Sequence, residues 1–95
     1  MLNFTVYVKK VNREGSAAIE TSRMDTVYDL KKKVEAKMGI RTEEQRLIAG
    51  GYEMRLRDDD GYEMTVGDYE LEHGSAVHFA LRLHGGASQV ITVKK

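Results

Sequence analysis

The stretch "DTVYDLKKKVEAKMG" repeats its apolar residues at three- and four-residue steps, through Val27, Leu30, Val34 and Met38. That spacing predicts an amphipathic helix over residues 26–38. Thr26 stands where an N-cap belongs. Asp29 stands at N3, as in a capping box, and its charge suits the helix N-terminus. Asp29 and Lys33 are spaced for an acid-before-base pair one turn apart. Gly39 is placed to end the helix in a left-handed conformation. Lys31, Lys32 and Lys33 wrap around the helix and read mostly as a solvated face.

On both sides of this helix the period is two. In "LNFTVYV" Leu2, Phe4, Val6 and Val8 share one face, which predicts a half-buried strand. "KKVNREGS" reads as a hairpin turn, and "AAIETSR" returns as a weaker strand with Ala17, Ile19 and Thr21 on one face. "EEQRLIAGGYEMRL" reads as a third strand, a Gly50-Gly51 turn and a short fourth strand. "RDDDGYE" is a polar loop. "TVGDYELEHGS" is a compact connection with room for one helical turn. "AVHFALRL" alternates most cleanly: Val77, Phe79, Leu81 and Leu83 point one way, and His78, Ala80 and Arg82 the other. One helix among these strands predicts an α+β roll, a mixed sheet packed on one main helix. The expected core is Leu2, Phe4, Val6, Ile19, Val27, Leu30, Val34, Leu47, Leu71, Val77, Phe79 and Leu81.

Charge and composition narrow the function. Fifteen Lys and Arg balance fifteen Asp and Glu, so no general attraction to nucleic acid or anionic membrane is expected. No apolar run approaches the ~20 residues that span a bilayer, and the first residues do not read as a signal peptide. A cytoplasmic monomer is expected. Cysteine is absent, so the chain has no thiol nucleophile or thiolate ligand of its own. His78 and His84 share a strand face but lie ~20 Å apart at strand rise, too far to share a metal. Asp58, Asp59, Asp60 and Gly61 lack the alternating spacing of a calcium loop. No nucleophile elbow or phosphate-binding glycine loop is present. The expectation is no catalytic residue, no metal and no cofactor.

A diglycine, Gly85-Gly86, directly follows the last strand, and "ASQVITVKK" continues beyond it. Here the chain resembles the ubiquitin family. "DTVYDLKKKVEAKMGI" looks like the ubiquitin helix, "EEQRLIAGG" like the strand and turn after it, and "TVGDYEL" with "AVHFALRLHGG" like the last third. The resemblance implies the β-grasp fold over residues 1–84, a diglycine conjugation motif at 85–86 and a propeptide tail at 87–95. The first hairpin turn and the loop of residues 55–63 are longer than in ubiquitin. Tyr52 and His73 stand where ubiquitin has chain-forming lysines, whereas Lys31, Lys33 and Lys37 match helix lysines. The family's recognition patch maps onto Ile48, His78 and Ala80, with alanine in place of a larger residue. Alternation supports the patch independently: if Leu47 is core, Ile48 faces out.

The resemblance also implies a chemistry. A tail of Arg82, Leu83, His84, Gly85 and Gly86 is gripped by enzymes, since glycine reaches backbone conformations barred to other residues. Gly86 is the attachment residue, and the Gly86–Ala87 bond is the processing site. Once freed, the carboxylate is adenylated with ATP by an activating enzyme and held as a thioester by a conjugating enzyme. It is then joined to a target lysine, with or without a RING-type ligase. The processing protease is expected to be deubiquitinase-like, with a JAMM metalloprotease favoured, as in archaeal minimal pathways. Two other readings stay open. "QVITV" has high β-propensity and suits a binding module that is never conjugated, and sulfur carriers share the β-grasp and terminal diglycine.

Overall fold

The computed structural model describes residues 2–10 and 16–81. Five strands and one α-helix follow in the order β1 (Phe4–Lys10), β2 (Ser16–Thr21), α1 (Val27–Met38), β3 (Gln45–Ala49), β4 (Tyr52–Glu53) and β5 (Ala76–Leu81). The strands form one mixed sheet ordered β2-β1-β5-β3-β4. β1 and β5, the first and last strands, are parallel neighbours at its centre; the other pairings are antiparallel. This is a β-grasp: the sheet wraps on α1. No described helix is long and apolar enough to cross a membrane.

The helix begins and ends as its sequence dictates. Thr26 Oγ1 accepts from Asp29 N at 2.9 Å, and Asp29 Oδ2 accepts from Thr26 N at 3.0 Å. These reciprocal bonds satisfy two amides that have no partner inside the helix. Gly39 closes α1 at φ 77°, with its N–H donating to Glu35 O. The β3–β4 turn places Gly50 at φ 60° and Gly51 at φ 88°. Two consecutive positive φ angles explain why both residues are glycine.

Val27, Leu30 and Val34 of α1 are buried with Val6, Val8, Ile19, Leu47, Leu71, Val77 and Phe79, and with Ala49, Met54 and Val66. Phe4 is only partly covered and packs against this cluster. Leu2 is 88% exposed, not core. The β1–β2 ladder ends at Phe4↔Thr21, because the chain beyond Thr21 turns away into the helix. The β1–β5 ladder begins only at Tyr7↔Ala76. Leu2 therefore extends past both neighbours, where nothing covers it. The side chain of Leu81 lies outside what is described, as do the first hairpin turn, residues 11–15, and everything from Arg82 onward.

Three further expectations change. Residues Thr42–Glu44 form a 3-10 turn, so the third strand starts at Gln45 rather than at the glutamates. Lys33 pairs with Asp25 at 2.8 Å rather than with Asp29, whose carboxylate caps the helix. Lys31 is buried, 6% exposed, with its ammonium donating to Gln45 O at 3.1 Å. Gln45 in turn is fully buried, and its Nε2 donates to Lys31 O and Ile40 O, both at 2.9 Å. This exchange of polar bonds clamps α1 to the start of β3. The compact connection does contain one turn, a 3-10 helix at Val66–Tyr69, capped by Thr65 and Asp68.

The long loop is ordered by its own backbone. Leu56 O accepts from Met64 N at 3.0 Å, Tyr62 O accepts from Asp58 N at 2.9 Å, and Arg57 bridges Glu63. Asp58 Oδ1 accepts from Asp60 N and Tyr62 N, both at 2.9 Å. The carboxylate of Asp58 thus closes a small hairpin.

Candidate functional site

Register decides which residues share a surface. β3 and β5 pair with Ile48 opposite His78 and Arg46 opposite Ala80. Leu47, opposite Phe79, points into the core with it. Because side chains alternate along a strand, Ile48, His78 and Ala80 all lie on the outer face, away from α1. His78 is exposed; Ile48 and Ala80 are half-buried. The structure brings these three residues together.

The surface extends beyond them. In the parallel ladder Lys9 lies opposite His78, so one row across the sheet reads Lys9, His78, Ile48, Glu53. Arg46 Nε meets Glu53 Oε1 at 3.3 Å along the β4 side. The result is a shallow apolar strip rimmed by charge, a geometry suited to protein docking. Arg46 was legible as an outward residue of the same strand. Lys9 was not, since its position depends on pairing between the two ends of the chain.

The helix lysines differ sharply in their surroundings. The Lys31 amine is buried. Lys32 meets Glu35 Oε1 at 3.2 Å, and that hydrogen bond holds its ammonium above the usual lysine value. Lys33 Nζ donates to Asp25 Oδ2 at 2.8 Å and to Glu20 O at 2.9 Å. Asp25 Oδ2 also accepts from Thr21 Oγ1 at 2.7 Å and Ser22 N at 3.2 Å. Partial burial opposes ionisation of Asp25, but Lys33, Thr21 and Ser22 outweigh it and hold the carboxyl below its usual value. Lys37 is exposed on the last turn of α1.

His73 Nδ1 accepts a long bond, 3.3 Å, from Thr5 N. Among the described residues no group of three or more His, Cys, Asp or Glu is placed to hold a metal ion. Arg82, Leu83, His84, Gly85, Gly86 and Ala87 lie outside the described residues. β5 is described to Leu81, whose partner is Gln45.

Comparison with known proteins agrees with this geometry. The model of the ubiquitin family matches residues 6–84. The chain is 37% identical over 68 residues to the ubiquitin-like protein NEDD8 of Dictyostelium discoideum, covering 72% of this chain and 80% of that protein. It is 36% identical over 77 residues to the NEDD8-like protein RUB3 of Arabidopsis thaliana, covering 81% and 91%. It is 43% identical over 63 residues to ubiquitin-like protein 1 of Schizosaccharomyces pombe, covering 66% and 73%.

Proposed function

The chain belongs to the ubiquitin family, and on that premise we propose that it is the precursor of a protein modifier whose reactive group is the Gly86 carboxylate. Cleavage of the Gly86–Ala87 bond removes residues 87–95 and frees that carboxylate. A carboxylate is a poor electrophile. Its oxygen attacks the α-phosphorus of ATP in an activating enzyme, pyrophosphate leaves, and an acyl adenylate forms. A thiol then displaces AMP. That thiol belongs to a partner, since this chain has no cysteine. A lysine amine of the target finally displaces the thiol and forms the isopeptide bond.

One observation carries this reading. β5 is a single strand that holds His78 and Ala80 on its outer face and runs toward "RLHGG". Gly86 is six residues beyond Ala80, at most about 20 Å of extended chain. A partner docked on Ile48, His78 and Ala80 is therefore within reach of the carboxylate it must act on. Where copies are linked to one another, Lys37 is the favoured helix acceptor. Lys31 would have to leave the core, Lys32 is paired with Glu35 Oε1 at 3.2 Å, and Lys33 donates to Asp25 Oδ2 and Glu20 O.

Reconstitution tests the proposal. The chain truncated after Gly86 should form a thioester with its cognate activating enzyme and ATP, while the full-length chain should need a protease first. Gly86→Val should block processing or activation and leave the fold intact. Absence of any thioester from the truncated chain, with full-length protein as the only cellular species, would replace this reading with a binding module that is never conjugated.

A further inference from the structure

Tyr28, Tyr52 and Leu56 are large apolar side chains left in solvent, Tyr52 to 74%, and all three line one groove of about 740 Å³. They come from different elements: Tyr28 from the first turn of α1, Tyr52 from β4, and Leu56 from the segment that leads from β4 into the long loop. Met54, buried in the core, lies at the base of the groove. Exposed apolar area gathered in one concavity marks a docking surface. This one is held in shape by its backbone. Met54 N donates to Leu47 O at 2.7 Å, Arg55 N to the Tyr69 hydroxyl at 2.8 Å, and Met64 N to Leu56 O at 3.0 Å. A surface already in place loses little freedom when a partner binds it.

Charge along the rim is uneven. Its two acids already face arginines that do not line the groove: Glu43 Oε2 meets Arg41 Nε at 3.4 Å, and Glu53 Oε1 meets Arg46 Nε at 3.3 Å. The arginines on the loop side are compensated less. Arg57 is exposed, and its Nη1 donates to a backbone carbonyl, Gly61 O, at 3.0 Å. Arg55 meets Asp59, whose side chain is 90% exposed, so that pair is weak and open to exchange. The groove thus has an apolar middle and a cationic rim beside the loop.

We propose that this groove docks a segment of a partner protein in which a large apolar side chain stands next to carboxylates. The apolar side chain seats against Tyr28, Tyr52 and Leu56 over Met54, and a carboxylate meets Arg57. Tyrosine and arginine are the residues that most often carry binding energy at protein interfaces. The N–H groups that Arg57 does not give to Gly61 can hold a carboxylate in a two-point contact. The arginines also select against the chain's own "QVITVKK", which carries two cations and no acid. Docking here uses none of Ile48, His78 and Ala80 and does not depend on conjugation at Gly86.

The chain has no tryptophan, so a tryptophan in a probe peptide reports its own burial. The test uses the full-length chain and two synthetic peptides with the same Trp-Leu pair, one continued by glutamates and one by lysines. Tryptophan emission of the glutamate peptide should shift to the blue on titration, and amide shifts followed by NMR should centre on Tyr28, Tyr52 and residues 54–57. Leu56→Glu should abolish binding, and Tyr52→Ala should weaken it by at least about fivefold. Both side chains are exposed, so circular dichroism should show both variants folded. Arg57→Glu should weaken the glutamate peptide roughly threefold to fivefold and strengthen the lysine one. Equal binding of both peptides, shifts centred on the Ile48 face or on Ser16–Thr21, full affinity in L56E, or no shift at millimolar peptide would overturn the proposal. So would dimerisation that buries the same groove, which would make a second copy the occupant, or peptide binding seen only after removal of residues 87–95, which would make the tail the occupant.

Discussion

Leu47 and Ile48 are neighbours in β3, as Phe79 and His78 are in β5, yet the two faces they build do different work. The inner face is closed: Leu47 and Phe79 are buried against α1, and their burial stabilises the fold. The outer face keeps Ile48 and Ala80 half-covered and His78 in solvent. Both faces come from the same strands and the same backbone bonds. The lesson is that the ladder fixes positions for both, while only one face is used for stability. The other keeps apolar area within reach of solvent, and the proposed function has a partner cover it.

The largest test is on the inner face. Leu30→Ala, at a fully buried helix position, should cost about 2–5 kcal/mol in urea unfolding. A loss under about 1 kcal/mol would mean the helix side is not the stability-bearing one.

The polar junction between β2 and α1 should give a smaller effect. Asp25→Asn weakens three bonds to one carboxylate oxygen and should cost about 1 kcal/mol. The pH dependence has a definite sign. The folded carboxyl titrates below the usual 3.8, so its stabilisation is present at neutral pH and lost as pH falls through the folded value. D25N should remove that part of the acid-induced loss of stability, measured by thermal melts between neutral pH and about pH 3.

Ile48→Ala sharpens the comparison most directly. Stability should fall by about 1 kcal/mol or less, while binding of activating enzyme or receptor should weaken by about 1 kcal/mol or more. Calorimetric titration alongside a melt measures both. If all partners bind I48A normally, the outer face is not the docking surface. The smallest effect belongs to Leu2→Ala, which should change stability by under about 0.5 kcal/mol, since the side chain is already in water.

Local chemistry was legible because its partners lie a few residues apart. The Thr26–Asp29 capping box, the left-handed Gly39, the Gly50-Gly51 turn and the alternation of β5 needed no knowledge of the rest of the chain. The outward placement of Ile48 followed from the burial of Leu47 by the same period-two rule. Met54, just past the two-residue β4, and Val66, in a four-residue 3-10 turn, escaped the expected core because those segments are too short to show a period.

What the tertiary structure decided is set by contacts between distant segments. Lys31 and Gln45 look like surface residues on their own, but β3 packs beside α1 so that each satisfies the other's backbone. Lys33 had two acids within reach. Folding brought Asp25 to it, because the capping box had already engaged Asp29. The row that sets Lys9 beside His78 exists only once the first and last strands pair in parallel. Periodicity along a chain tells which way a side chain points. Only the long-range register tells what it meets there, because strand pairing joins residues whose separation in sequence leaves no local trace.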